Sequence, residues 1–311
     1  MARCFVTRRL PGAALDRLSA AHEVEIWPDR LPPSAAALRR RAREAEGLLT
    51  MLTDRIDGEL LDLCPRLRAI ANYAVGVDNI DLEATAARGI PVGNTPDVLT
   101  EATADLAFAL ILAAARRLPE AAAAVRSGEW VTWDPGWLLG HEVHGATLGI
   151  VGMGRIGRAV ARRAGGFDMT VLHTGRREDG VPLAVVLERA DVVSLHAPLN
   201  DSTRGMIDAA ALRRMKSTAI LVNTARGGLV DQVALREALE SGAIAAAALD
   251  VTDPEPLPPD APLLQAPNLL VLPHIGSATH TARERMADLA VDNLLAGLAG
   301  RTLPHEFAGP G

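Results

Sequence analysis

Along residues 1–94, short apolar runs alternate with segments whose apolar residues recur at helical spacing. CFVT (4–7), VEIW (24–27), GLLTM (47–51), AIANY (69–73) and IPVGN (90–94) predict strands. Between them, GAALDRLSAAH (12–22), SAAALRRRAREA (34–45) and DLEATAARG (81–89) predict helices. Strand, helix, strand in repetition implies a parallel sheet covered on both faces. Residues 94–119 then predict a turn, a long Ala-rich helix and a stop at Pro119.

A second alternating set begins at ATLGIVGMG (146–154). Its expected strands are TLGIV (147–151), MTVLH (169–173), DVVSLH (191–196), AILVN (219–223), AAALDV (246–251) and LLVLP (269–273). Residues 277–300 have the length and periodicity of a long helix that returns the chain to the first unit. The fold class expected is α/β, with two Rossmann-like, doubly wound parallel-sheet domains and an interdomain cleft as the default ligand site. The boundaries expected are 1–98, completed by 282–311, for one domain and 99–281 for the other. One connection is too short: between His173 and a possible strand near Val181 there is no room for a helical crossover of about a dozen residues. Either a helix has been lost from this face, the preferred explanation, or the strand near Val181 does not exist.

Composition narrows the class. The chain has 311 residues, a net charge of −6 and only two cysteines, Cys4 and Cys64, neither in a metal-type spacing. No overall basic field draws it to nucleic acid or to an anionic membrane. The scattered cysteines fit a reducing cytoplasm better than a disulfide scaffold. The apolar stretch at the N-terminus is too short for a signal peptide. LAFALILAAA (106–115) is about half of what a membrane span needs.

LGIVGMGRIGRAVARRAGGF (148–167) places G-x-G-x-x-G directly after an apolar strand and at the start of a helix, with Gly152, Gly154 and Gly157 as its glycines. In that context the pattern implies a bound dinucleotide, with its diphosphate at the helix N-terminus. About twenty residues on, such sites usually carry a carboxylate for a ribose hydroxyl. Here VLHTGRRE (171–178) has Thr174 and Gly175 followed by Arg176 and Arg177. Two planar, multi-donor cations suit a 2′-phosphate, so NADP(H) is expected over NAD(H), with NAD(H) use still open. The alternative is that both arginines solvate a surface turn.

Three further segments fall at strand ends of the second unit: LVNTARGGLVD (221–231), LDVTDPEPLP (249–258) and LPHIGSAT (272–279). Each contributes one residue type that carbonyl reduction needs. Arg226 can bind a 2-oxo acid bidentately and polarise its carbonyl. His274 can supply the proton that the oxygen takes, and Glu255 can stabilise the imidazolium. The duller reading leaves Arg226 as a loop cap, Glu255 as a solvated turn residue and His274 as a packed one. HEVH (141–144) has its histidines three apart rather than four and no third ligand, so no metal is expected.

With these residues in view, the sequence resembles the D-2-hydroxyacid dehydrogenase family over essentially its whole length, and most closely its glyoxylate/hydroxypyruvate reductases. The likeness is carried by VGVDNIDL (75–82), GNTPDVLTEATADLA (93–107), RRLPEA (116–121), GEWVTWDPGWLLG (128–140), DVTDPEPLP (250–258) and LPHIGSATHTARERM (272–286). The family's Arg, Glu and His match Arg226, Glu255 and His274 in order and context. The resemblance makes 1–98 with 282–311 the substrate-binding domain and 99–281 the dinucleotide-binding domain. It implies that the Val75 and Gly76 backbone binds substrate carboxylate, and that Arg155 and Ile156 hold the pyrophosphate. It also implies that Ala197, Thr224, Asp250 and Gly276 line the cofactor, with Asp250 near the nicotinamide amide. TGRR (174–177) resembles the NADP-preferring members, while the short connection after Glu178 departs from the relatives and affects how the adenosine end is walled.

Trp130, Trp133 and Trp137 sit within eight residues, a density usual for contact surface. The resemblance places this region at a homodimer interface and makes Trp137 the one that reaches the partner's substrate pocket; plain packing within one subunit is the competing reading. The expected activity is NADPH-dependent reduction of glyoxylate to glycolate and of hydroxypyruvate to D-glycerate in the cytoplasm. The alternatives are a dehydrogenase for another 2-hydroxy acid such as phosphoglycerate, and a corepressor-like dinucleotide sensor on the same fold. The short segment after the returning helix leaves no room for a regulatory domain and disfavours the phosphoglycerate role.

Overall fold

The computed structural model describes residues 1–175 and 180–307. Arg176 and Arg177, on which the 2′-phosphate expectation rests, lie outside the described residues. The chain divides into two compact units, one of Met1–Leu99 with the segment from Ala278 onward, the other of Thr100–Ser277.

The first unit holds β1 (Arg3–Val6), β2 (Glu23–Ile26), β3 (Gly47–Thr50), β4 (Ala69–Asn72) and β5 (Val92–Gly93). They form one sheet in the order β2-β1-β3-β4-β5, with every neighbouring pair parallel. Every residue of β3 and of β4 is buried, which explains why their sequences are apolar runs rather than alternating patterns. The helices Ala14–Ala21 and Ala35–Ala42 return the chain between strands. The long helix His280–Leu298 packs on β3 and β4. Thr279 opens it by accepting the Ala282 N–H at 3.1 Å. Its buried stripe of Ala282, Met286, Ala290, Val291, Leu294 and Leu298 follows the helical repeat.

The second unit holds β6 (Thr147–Val151), β7 (Thr170–Thr174), β8 (Val192–Leu195), β9 (Ile220–Asn223), β10 (Ala246–Leu249) and β11 (Leu269–Val271). Their order is β11-β10-β9-β8-β6-β7, again with all pairs parallel. Both faces are covered. On one, Val186, Leu195, Leu221, Leu235 and Leu249 belong to a single buried cluster. On the other, Ala104, Ala107, Phe108 and Ile111 of the helix Thr100–Ala115 pack with Ile150, Val160, Val222 and Ala248. Strand order reverses between β6 and β8, and the carboxyl ends at such a reversal are where open α/β sheets take ligands.

Two expectations need correction. Among the described residues no strand forms near Val181: its N–H donates to His173 O at 2.8 Å, and the short helix Leu183–Arg189 then carries the crossover to β8. That hydrogen bond ties Val181 to β7 where a strand was expected. Pro119 does not stop the long helix either. That helix ends at Ala115, Arg117 adopts a left-handed backbone (φ 51°), and Pro119 sits in the first turn of a second helix, Leu118–Ser127. A proline there lacks only an N–H that would have had no helical partner.

Trp130, Trp133 and Trp137 follow this second helix and are 60%, 80% and 37% exposed. None of the three is buried. No described helix is long and apolar enough to cross a membrane.

Candidate active site

The glycine loop lies between β6 and the helix Arg155–Ala164. Gly152 has φ +99°, and a Cβ there would lie 2.7 Å from His196 C and O and 2.8 Å from Ala197 N. Only glycine lets this turn press so closely on the end of β8. Around Gly154, by contrast, a Cβ would meet nothing within 4 Å, which leaves space above the loop. Gly154, at the N-cap of the helix, makes no side-chain hydrogen bond of its own to the first turn. Thr224, just past β9, carries a hydroxyl that is buried with no hydrogen-bond partner. Open space at Gly154, a helix N-terminus that opens on a glycine and an orphaned hydroxyl fit a phosphate-bearing dinucleotide.

The expected catalytic residues all come just after β9, β10 and β11, which are neighbours in the sheet. Arg226 stands in the loop after β9. Asn223, fully buried at that strand's end, shapes the loop: its Nδ2 donates to Arg226 O at 2.8 Å and its Oδ1 accepts the Ala225 N–H at 3.0 Å. The Arg226 Nη1 donates to Ala225 O at 2.8 Å. Gly227 then packs against the Thr252–Asp253 backbone, so closely that a Cβ would sit 2.0 Å from Thr252 C. The loop bearing Arg226 is thereby pressed onto the loop bearing Glu255. Gln232 adds a hydrogen bond to Asp253 O across the same seam.

His274 and Glu255 meet directly, with the imidazole Nδ1 against Glu255 Oε1. Both side chains are partly accessible, at 23% and 29%. His274 follows β11 in a left-handed backbone (φ 54°), which is unusual for a residue other than glycine. What holds it there is Asp250, 1% exposed at the end of β10. The His274 N–H donates to Asp250 O at 2.9 Å. The next two N–H groups, of Ile275 and Gly276, donate to the two Asp250 carboxylate oxygens, each at 2.7 Å. Burial raises the Asp250 pKa, and these two N–H groups oppose the shift. Thr103 Oγ1 closes the loop from the other side by donating to Gly276 O at 3.2 Å.

Thus the fold brings Glu255 and His274 into contact and sets Arg226 on the adjoining loop. It lines up Gly152, Gly154, Arg155, Ile156 and Gly157 at one helix start, with Thr174 at the end of β7, Ala197 beside Gly152, and Thr224 past β9. Val75, Gly76 and Trp137 are described apart from this group, the first two in the first unit. Sequence reasoning missed the supports: Asn223, and Asp250 as the buckle behind His274. Asn-Thr after an apolar strand was a visible signal for the first. Nothing local marks a bond between residues twenty-five apart. Among the described residues, no cluster of three or more His, Cys, Asp or Glu is assembled to hold a metal ion.

Comparison with known proteins extends this picture. A family model described as D-isomer specific 2-hydroxyacid dehydrogenase, NAD binding domain, matches residues 108–276. A glyoxylate reductase of Korarchaeum cryptofilum is 51% identical, over 97% of this chain and 95% of its own length. A glyoxylate reductase of Thermococcus kodakarensis is 48% identical, over 97% and 95%. Among solved structures, a Thermus thermophilus protein superposes with a TM-score of 0.92 at 53% identity, covering 98% of this chain and 99% of that one. An NADPH-dependent glyoxylate/hydroxypyruvate reductase of Sinorhizobium meliloti, solved with NADP and malonate, gives 0.87 at 35% identity, covering 99% and 97%.

Proposed function

The chain belongs to the D-isomer specific 2-hydroxyacid dehydrogenase family and is an NAD(P)-dependent oxidoreductase, and from that premise we propose that it reduces glyoxylate to glycolate and hydroxypyruvate to D-glycerate with NADPH. The observation that carries this reading is the His274–Glu255 pair beside the Arg226 loop. Glu255 occupies Nδ1, so the proton available for transfer sits on Nε2 of His274. As charge develops on the substrate's carbonyl oxygen, Nε2–H delivers it, and the Glu255 carboxylate balances the charge on the ring. Arg226 engages the substrate carboxylate and polarises the adjoining carbonyl. The Val75 and Gly76 N–H groups, in the first unit, are proposed as donors to substrate carboxylate. Asp250 keeps His274 aimed by holding the backbone of the next two residues. The dinucleotide, when bound, supplies the hydride; Gly152, Gly154, Arg155, Ile156, Gly157, Thr174, Ala197, Thr224, Asp250 and Gly276 are the residues proposed to hold it.

The proposed division of labour gives substrate to the unit of residues 1–98 and 282–311 and dinucleotide to residues 99–281. Preference for NADPH is proposed from Arg176 and Arg177 in TGRR, and the Sinorhizobium meliloti relative crystallised with NADP supports it. A homodimer is proposed from the exposed Trp130, Trp133 and Trp137, with Trp137 reaching the partner's site, and a cytoplasmic location from the free cysteines Cys4 and Cys64.

A steady-state comparison of NADPH with NADH on glyoxylate and hydroxypyruvate tests the reading. NADPH is expected to give the higher kcat/KM, and Arg176→Ala/Arg177→Ala should remove most of that advantage. Turnover of neither 2-oxo acid would reject the substrate assignment. Tight dinucleotide binding without turnover would favour the sensing role.

A further inference from the structure

Val75 and Gly76 enter the proposed mechanism only through backbone N–H groups, so something must fix the direction in which those groups point. In a planar trans peptide the carbonyl of one residue and the N–H of the next point in opposite directions, so pinning the carbonyl aims the N–H. Three successive carbonyls after β4 are pinned in this way. Ala74 O accepts the Thr95 N–H at 2.9 Å. Val75 O accepts from Asn94 Nδ2 at 2.8 Å, and Gly76 O from Asn72 Nδ2 at 2.9 Å. Among the described residues, neither the Val75 nor the Gly76 N–H donates to a protein acceptor.

The two asparagines are themselves held. Asn72 is fully buried; its Oδ1 accepts from Thr50 Oγ1 at 3.0 Å and its Nδ2 also reaches Asn79 Oδ1 at 3.1 Å. Those partners fix which end of the amide faces Gly76. The Asn94 backbone is clamped on both sides: its N–H donates to His305 O at 3.0 Å, and its O accepts from Asn293 Nδ2 at 2.9 Å. Asn293, 0% exposed on the helix His280–Leu298, also accepts the His305 N–H at 2.9 Å. A chain of amides therefore runs from that helix through Asn94 to the peptide between Val75 and Gly76.

We propose that Asn94 and Asn72 are positioning residues for the substrate carboxylate, with Asn94 aiming the Gly76 N–H and Asn72 fixing the far end of the same turn. This rests on the reading of Val75 and Gly76 as carboxylate donors. A hydrogen bond to a charged group is lost when the donor is misdirected, which corresponds to about tenfold or more in affinity.

The test compares Asn94→Asp, close in shape but without the amide donor, and Asn94→Ala with the unaltered protein. KM for glyoxylate, kcat, NADPH affinity, and calorimetric binding of oxamate to the NADPH complex are measured alongside the thermal midpoint. The expected result in both variants is a rise of about tenfold in glyoxylate KM and in oxamate Kd. The loss in kcat should be smaller than the rise in KM, and NADPH affinity should stay within about twofold of the unaltered protein's. A lowered thermal midpoint with unchanged KM and oxamate affinity would reduce Asn94 to scaffolding and overturn the proposal while the reductase reading stands. Unaltered protein that neither turns over glyoxylate nor binds oxamate would overturn the reading of Val75 and Gly76, and this inference with it.

Discussion

His274 and His196 both follow strands of the same sheet, at the carboxyl ends of β11 and β8, yet their surroundings prepare them for opposite work. His274 faces a carboxylate, Glu255, and keeps a partly accessible ring. His196 faces a hydroxyl instead, with Ser194 Oγ 2.8 Å from its Nε2. Burial pushes its pKa down to about 4, so its ring stays neutral at pH 7. Its backbone meets the glycine loop, where Gly152 packs against it. A histidine at a strand end is therefore no proton donor by position alone; the partner on Nδ1 and the access of Nε2 decide.

Among changes to the surroundings of the two rings, removing the partner of His274 should have the largest effect. Glu255→Gln keeps a hydrogen-bonding group against Nδ1 but removes its charge, and kcat for glyoxylate reduction should fall by about 10–100-fold at pH 7. Turnover near that of the unaltered enzyme would mean the carboxylate is not needed and the contrast between the histidines is not electrostatic.

Gly152→Ala tests what His196 contributes through its backbone. The added Cβ must displace the chain at 196–197 and sits at a positive φ, so NADPH Kd should rise by about tenfold. Fluorescence titration with NADPH reads this directly, and an unchanged Kd would mean the loop does not depend on that contact.

The smallest effect is expected from the His196 ring itself, and it falls on stability. Below about pH 6.5 the unfolded chain binds a proton at His196 that the folded chain refuses until about pH 4. Stability from this group is therefore complete above that window, is lost as pH falls through it, and levels off below. Asn at position 196 keeps a polar partner for Ser194 but cannot titrate. Denaturant midpoints measured from pH 7 to pH 4 should fall less steeply for His196→Asn than for the unaltered protein. Parallel slopes would show that His196 is not held neutral.

The contrast also marks how far the sequence could be read. Strands came through because both faces of each sheet are buried: β6 and β9 are apolar runs bounded by turn residues, and their expected and observed spans agree within a residue. The long helix His280–Leu298 was equally plain from its periodicity. Pro119 misled because proline both ends helices and begins them, and the left-handed Arg117 that separates the two helices leaves no compositional mark. Val181 misled because an apolar residue after a strand looks the same whether a ladder or a single hydrogen bond receives it. At the site, His274 stood out because it follows a strand end and Pro273 and lies just ahead of Gly276, and Glu255 because it lies past the end of the neighbouring strand in a segment that offers a carboxylate for the imidazolium; the resemblance matched both to the family's pattern. The roles of Asp250, Asn94 and Asn293 were hidden because their bonds join residues far apart in the chain.

The most direct test compares His274→Ala with His196→Asn in one assay of NADPH oxidation at saturating glyoxylate. The expected result is a loss of about 10²–10⁴ in kcat for His274→Ala, with turnover of His196→Asn close to that of the unaltered enzyme. Equal losses in the two variants, or a larger loss at position 196, would contradict the assignment of the transferred proton to His274.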